Sequence, residues 1–349
     1  MDDLPFQDDD LPSPTSFVRP PTPSKPEPSP EIQRVLALDS FAEQVDAFAE
    51  LRCYFRPQED SPLYPIIQAY LASEISAETA VCNIAEPIEE QYTTADHGRK
   101  LKDATKRDTV YEGWTTEGYL WELYYGFLHA ARRIAWDDPQ QEKLLCLIKA
   151  LKKRPDPKPP SATMEIEPDW VLSEEFLWSK LSMLGPSTRE SWNDIPGCGA
   201  GMEKPELRAW TNVNAFVARM ARDGVRNYWI YCTWAISAGL ETNYKEREMY
   251  KLDAFVPPAA VWFLILGKQL YDREDEPEVP TLQQMGRKST ARQKMKEPDF
   301  SKTKWRRWKQ RFESFVEDIK LEEETREFAR RAIQIMTEVE TVEVGSCSN

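Results

Sequence analysis

Apolar residues in this chain recur at helical intervals from residue 31 onward. Phe41, Val45, Phe48, Leu51 and Phe55 follow one another at three- to four-residue spacing after Asp39 and Ser40, two residues suited to cap a helix start. A second apolar stretch follows Ser61-Pro62, and a third begins near Ser76. "TEGYLWELYYGFLHAARRIAW" and "QQEKLLCLIKALKK" predict two long amphipathic helices, and "SEEFLWSKLSMLG", with Ser173 as its cap, predicts another. "VRNYWIYCTWAISAGLE" carries apolar side chains all round the helical wheel, the pattern of a buried helix. Pro257 and Pro258 then stand where a first helical turn tolerates proline, ahead of "AAVWFLILGKQLY". "KTKWRRWKQRFESFVEDI" and "EEETREFARRAIQIMTEVE" close the pattern as amphipathic helices. No run of alternating short strands competes with this pattern. The expected fold class is all-α, a multi-helix globular domain of packed amphipathic and buried helices.

Proline marks the breaks. Residues 1–30 alternate acid, proline and serine and cannot bury enough apolar surface to offset their ordering entropy, so a disordered acidic Pro-rich tail is expected there. Its Ser13-Pro14, Thr22-Pro23 and Ser29-Pro30 pairs suit a proline-directed kinase, and Pro20-x-x-Pro23 after Arg19 suits a Pro-binding module. "KKRPDPKPPSA" has too many prolines for a helix. The organisation read from these breaks is an N-terminal helical part over 31–151 and a Pro-rich linker or loop over 152–167. A C-terminal helical part over 168–343 follows, expected to share one core with the first and to contain a mobile charged loop over 273–301.

Composition narrows the function classes. The net charge of −14 in 349 residues opposes a phosphate backbone as the partner of the whole surface. Six cysteines are scattered without a Cys-x-x-Cys pair, as for reduced thiols in the cytoplasm or nucleus. The opening "MDDLPFQDDDLPSPTSF" lacks the basic-then-apolar layout of a secretory signal, and the longest apolar run, Ala254 to Leu266, is short for a bilayer span. An intracellular protein, cytoplasmic or nuclear and not in a membrane, is expected.

Candidate chemistry is sparse. The two histidines are His97, in a polar stretch, and His129, expected at a core edge; neither has a second ligand at helical metal spacing, so no metal site and no cofactor are expected. "PGCGAG" lacks the lysine of a phosphate cradle and is flanked by Asp194 and Glu203, so a tight turn between close helices is expected. Glu206 and Glu241 lie beside apolar helices, where most carboxylates cap or pair structurally. From Arg287 to Arg311, eleven Lys or Arg meet two acids, with Trp305 and Trp308 interleaved. Arg287, Lys288, Arg292, Lys304, Arg306 and Arg307 with the two tryptophans form a candidate interaction patch. It could bind an acidic protein or tail, or single-stranded nucleic acid; alternatively the tryptophans face the core and the cations face water. In "RAWTNVNAFVARM", Asn214 falls on the flank of the apolar arc as a structural amide, with a neighbouring helix end or Glu241 as its expected partner. Asn212 falls on the opposite, solvated side near Arg208 and Arg219.

"ESWNDIPGCGAG", "AWTNVNAFVARM", "LDAFVPPAAVWFLILGKQLY" and "WRRWKQRF", in this order, resemble a family of uncharacterised filamentous-fungal proteins catalogued as a domain of unknown function (family 3632). The resemblance is strongest from about Pro168 to Phe315. It implies a fungal source and an intracellular α-helical protein, and it carries over no activity, cofactor or catalytic residue. The leading functional expectation is a non-enzymatic α-helical protein-interaction platform with other proteins as partners. The alternative is a small-molecule binder or enzyme with an aromatic-lined pocket near Asn214, Trp229 and Glu241. A second alternative is nucleic-acid binding through 287–311.

Overall fold

The structure, a computed structural model, describes residues 28–94, 115–158, 176–273 and 300–346. Among them are thirteen α-helices and no strand, in keeping with the all-α expectation. The tail to residue 27, the basic segment before Phe300, Ser173 and His97 lie outside the described residues.

The first helices start where their caps stand. Ser40 caps α2 (Phe41–Arg52), its hydroxyl accepting from the Glu43 amide while the Glu43 carboxylate accepts from the Ser40 amide, after a short α1 (Pro30–Leu36). α3 (Tyr64–Leu71) and α4 (Ala77–Thr94) follow the two stretches after Ser61 and Ser76. α5 (Thr116–Arg133) begins at the Thr115 hydroxyl, and α6 (Gln140–Lys152) returns beside it.

The helix predicted at "SEEFLWSKLSMLG" is absent from its described part. Residues 177–183 are consecutive turns, with Leu181 and Met183 in the left-handed region. The Asp156 carboxylate accepts from the Trp178 and Ser179 amides, groups that would otherwise open a helix. Helical geometry resumes in α7 (Leu184–Ser191).

α8 (Lys204–Arg222) is buried on nearly every side. It packs on α5, on α6, on α2 and most heavily on α10 (Lys251–Leu266). α9 (Trp229–Ile236) runs into a π-helical turn at Ser237–Glu241 that lies against α10. Contact with α10 is close because residue 239 is glycine: a β-carbon there would stand 2.5 Å from the Phe255 carbonyl oxygen. The expectation of a uniformly buried α9 is corrected, since Trp234 is exposed and Trp229 and Ile230 are half-buried.

The proline expectation also needs correction. α10 starts at Lys251, so Pro257 and Pro258 stand inside it. Each lacks an N–H, and the carbonyls of Asp253 and Ala254 lose their usual helical donors. Both residues are buried, and packing of the helix they stand in offsets that loss. A short α11 (Lys268–Tyr271) leads to the end of this segment. α12 (Lys302–Glu317) and α13 (Glu323–Ser346) pack on each other, and α13 on α10. Side chains from Leu63 to Met336 form one contiguous hydrophobic cluster, with Trp178, Phe216 and Trp262 among its fully buried members.

Candidate functional site

α8 presents Lys204, Leu207, Arg208, Thr211 and Asn212 along one line, the i, i+3, i+4, i+7, i+8 spacing of a helix face. This line forms the floor of a groove of about 380 Å³. Its other walls are Trp136 and Asp137 from the α5–α6 turn, Asp253 and Pro257 from α10, Phe328 from α13, and Phe41 at the start of α2. The lining is mostly apolar. Trp136 and Phe328 meet with ring centroids 5.4 Å apart, and the Arg331 guanidinium covers Trp136 at 4.5 Å.

Ion pairs of both signs ring this floor. Arg208 grips Glu324 with two parallel bonds, Nε to Oε1 at 3.0 Å and Nη2 to Oε2 at 2.9 Å. Lys204 pairs with Glu322 at 3.1 Å and Arg331 with Asp137 at 3.5 Å. Asp253 Oδ1 accepts from the Glu322 amide (3.0 Å) and the Thr325 hydroxyl (2.6 Å), so a residue of α10 caps the start of α13. Burial raises the Asp253 carboxyl above its ordinary value, against the pull of those two donors.

Asn212 is the correction that matters most. It is not solvated: 3% of it is exposed, and its Nδ2 donates to the Arg132 carbonyl at 3.0 Å. That carbonyl lies in the last turn of α5, where helical partners run out. Gln141 Nε2 serves the Ala131 and Ile134 carbonyls beside it. Asn214 is fully buried; its Nδ2 donates to the Trp210 carbonyl (2.9 Å), and its Oδ1 accepts from the Trp262 indole (3.2 Å). The expected partners, a helix end or Glu241, are thus replaced by an indole of α10.

Glu241 accepts from Trp308 Nε1 (3.1 Å) and pairs with Lys304 (3.1 Å). Trp229 lies under the Arg273 guanidinium at 4.1 Å. Asn214, Trp229 and Glu241 are each engaged by a different neighbour, and none of them lines either groove described here. In the basic patch, Trp305 and Trp308 are buried against Phe263, while Arg306 and Arg307 are exposed. Arg287, Lys288 and Arg292 lie outside the described residues.

Two further polar sites stand apart from this groove. One is a buried chain of charges: the Glu206 carboxylate accepts from the Tyr54 phenol (2.7 Å), the Gly201 amide (2.7 Å), Arg52 Nε (3.1 Å) and the Glu203 amide (3.1 Å). Burial and the Glu206 charge push the Tyr54 phenol far above its ordinary range. Next to it Arg132 pairs with Asp194 at 2.9 Å and donates to the Ser191 carbonyl, while burial pushes Asp194 up to about 6. The "PGCGAG" loop supplies the tight approach expected of it, since a β-carbon at Gly201 would fall on the Arg52 guanidinium and the Glu206 carboxylate.

The other is a polar groove of about 460 Å³, with Glu43, Asp46 and Glu50 of α2 on its wall and His129 among its lining residues. His129 Nε2 lies 2.8 Å from Asp46 Oδ1 in a residue that is buried rather than at the core edge. Burial lowers its pKa against the opposing Asp46 hydrogen bond. Among the described residues no group of three His, Cys, Asp or Glu is placed to hold a metal ion, and no helix is long and apolar enough to cross a membrane.

No curated protein and no solved structure matches the chain. A family model described as a protein of unknown function, DUF3632, matches residues 124–312, more than half of the 349, and the chain belongs to that family.

Proposed function

We propose that this chain is a non-enzymatic α-helical interaction protein whose docking surface is the groove along α8. The reading rests on one observation: a groove whose lining includes Trp136, Leu207, Pro257 and Phe328, bordered by ion pairs between elements. An apolar centre within a polar rim is the anatomy of a protein interface, in which the rim sets orientation and the centre carries affinity. The occupant is an apolar side-chain cluster of a partner protein, flanked by charges of both signs. His129, Glu206 and Glu241 each have a hydrogen-bonded neighbour in this fold, and the glycine loop serves a close approach.

A photo-crosslinking amino acid placed at Trp136, and separately at exposed Gln310 on α12, tests the reading in native extract. A discrete protein adduct is expected at position 136 and not at 310. Equal adducts at both positions, or none at 136, would overturn it.

A further inference from the structure

We propose that Lys152, Lys180 and Arg226 form a receiving site for a phosphomonoester group, carried by a phosphorylated side chain of a partner protein. The site stands apart from the α8 groove and does not depend on it. Lys152 ends α6, Lys180 lies in the turns of 177–183, and Arg226 lies just past the end of α8. Lys152 Nζ donates to the carbonyls of Gly224 (3.2 Å) and Val225 (2.5 Å), the residues before Arg226. Arg226 Nη1 donates in turn to the Lys180 carbonyl at 3.3 Å, which ties the three segments together. Burial holds the Lys152 ammonium below its ordinary value, and the charges of Arg226 and Lys180 push it the same way. Three cations thus crowd one spot in a chain whose net charge is −14.

Among the described residues none of the three pairs with an acid, and the acids of the flanking segments are engaged elsewhere. Asp223 binds Lys149 and Arg222, Asp156 accepts from the Trp178 and Ser179 amides, and Glu89 binds Arg154. The Arg226 guanidinium also lies at the unfavourable end of a helix for a cation. A β-carbon on Gly185, in the first turn of α7, would stand 2.6 Å from its Nη2. An anion placed among the three relieves this repulsion. Arg226 Nε and Nη2 and one N–H of Lys152 are left to donate, and a planar fork beside an ammonium matches phosphate oxygens. A compact group of three charges suits the dianion of a phosphomonoester. A nucleic-acid strand needs a line of cations for its successive phosphates and meets the repulsion of the net charge. Phe176 is 46% exposed, with Lys180 Nζ 5.7 Å from its ring centroid. That ring gives a residue flanking the phosphate an apolar surface, which favours a protein source over a free phosphate compound.

The full chain is titrated at fixed ionic strength with acetyl-Ala-phosphoserine-Ala-amide and its unphosphorylated counterpart. Inorganic phosphate and a short uridine oligonucleotide are run in parallel, with the Gly185 amide and Arg226 Nε followed by NMR. The titrations are repeated on the double variant Lys180→Gln with Arg226→Gln, and on Lys320→Gln, an exposed change in the α12–α13 turn. The expected result is binding of the phosphopeptide and not of its counterpart, with the double variant roughly tenfold weaker and Lys320→Gln unchanged. Thermal midpoints of the unligated variants are measured alongside. Should the double variant fail to fold, Lys180→Gln alone carries the comparison, with a loss of about threefold expected. Equal binding by the native chain and the folded variant overturns the site. Equal binding of the unphosphorylated peptide overturns the phosphate assignment. Inorganic phosphate bound more tightly than the phosphopeptide overturns the protein source, and an oligonucleotide bound more tightly overturns the monoester. No binding by any probe overturns the inference as a whole.

Discussion

Asn212 and Asn214 stand two positions apart on α8 and serve different neighbours. Asn214→Leu would leave the buried Trp262 indole N–H without an acceptor, for an expected loss of roughly 1–3 kcal/mol. Asn212→Ala would strip a donor from the end of α5, for a loss of about 1–2 kcal/mol. Chemical denaturation of the two variants checks this; a silent Asn212→Ala would contradict the capping assignment. The helical wheel set Asn214 on the flank of the apolar arc; in the fold its side chain is fully buried. It misplaced Asn212 because it assumes one wet face, and α8 has α2, α5, α6 and α10 around it. Partners such as Trp262, 48 residues away, leave no local trace. His129 carries a pH signature of its own. Burial holds its pKa below the ordinary value, whereas the unfolded chain takes up that proton near pH 6.5. Falling pH therefore protonates the unfolded state first, and stability is lost as pH drops through about 6.5 and levels off below the folded pKa. Denaturation at pH 8 and pH 5.5 should show a smaller loss for His129→Gln than for the native chain; identical losses would contradict it.

Helix starts with a local cap were legible, and helix surroundings were not. Ser40, Thr115 and the breaks at Ser61 and Ser76 act locally, so their signals survive in the sequence. Pro257 and Pro258 misled because the local rule assigns them to a first turn, while tertiary packing holds them inside α10. The segment 176–183 misled for a related reason: Asp156, more than twenty positions earlier, competes for its amides. The glycine loop before α8 gives the clearest test between elements. Gly201 makes room for the Arg52–Glu206 contact that joins the end of α2 to the start of α8. Gly201→Ala should cost roughly 1–3 kcal/mol through overpacking, seen as a lower thermal midpoint. A variant as stable as the native chain would show that the contact can shift without penalty.

The apolar periodicity along the chain pointed to an all-α globular protein, and the structure agrees. The groove was beyond its reach, because its walls come from positions 41, 136, 204–212, 253–257 and 322–328. No periodicity joins residues that far apart. The acidic balance of the sequence likewise says nothing of how Lys204, Arg208 and Arg331 are matched with Glu322, Glu324 and Asp137. The family match, residues 124–312, is a statement about sequence, and the Glu206 carboxylate shows why it is a poor guide to where the chain can be cut. A fragment with those limits would lack Arg52 and Tyr54, leaving a carboxylate with 0% side-chain exposure in the parent without its cation and its phenol. It would also lack α13, and with it Phe328 and the cover of α10. Such a fragment is expected to unfold without a cooperative transition, whereas residues 28–346 melt sharply; a cooperative melt from 124–312 would contradict this. For anyone preparing this protein, the unit to express is set by one acid in the glycine loop's shadow and not by the limits of the shared sequence.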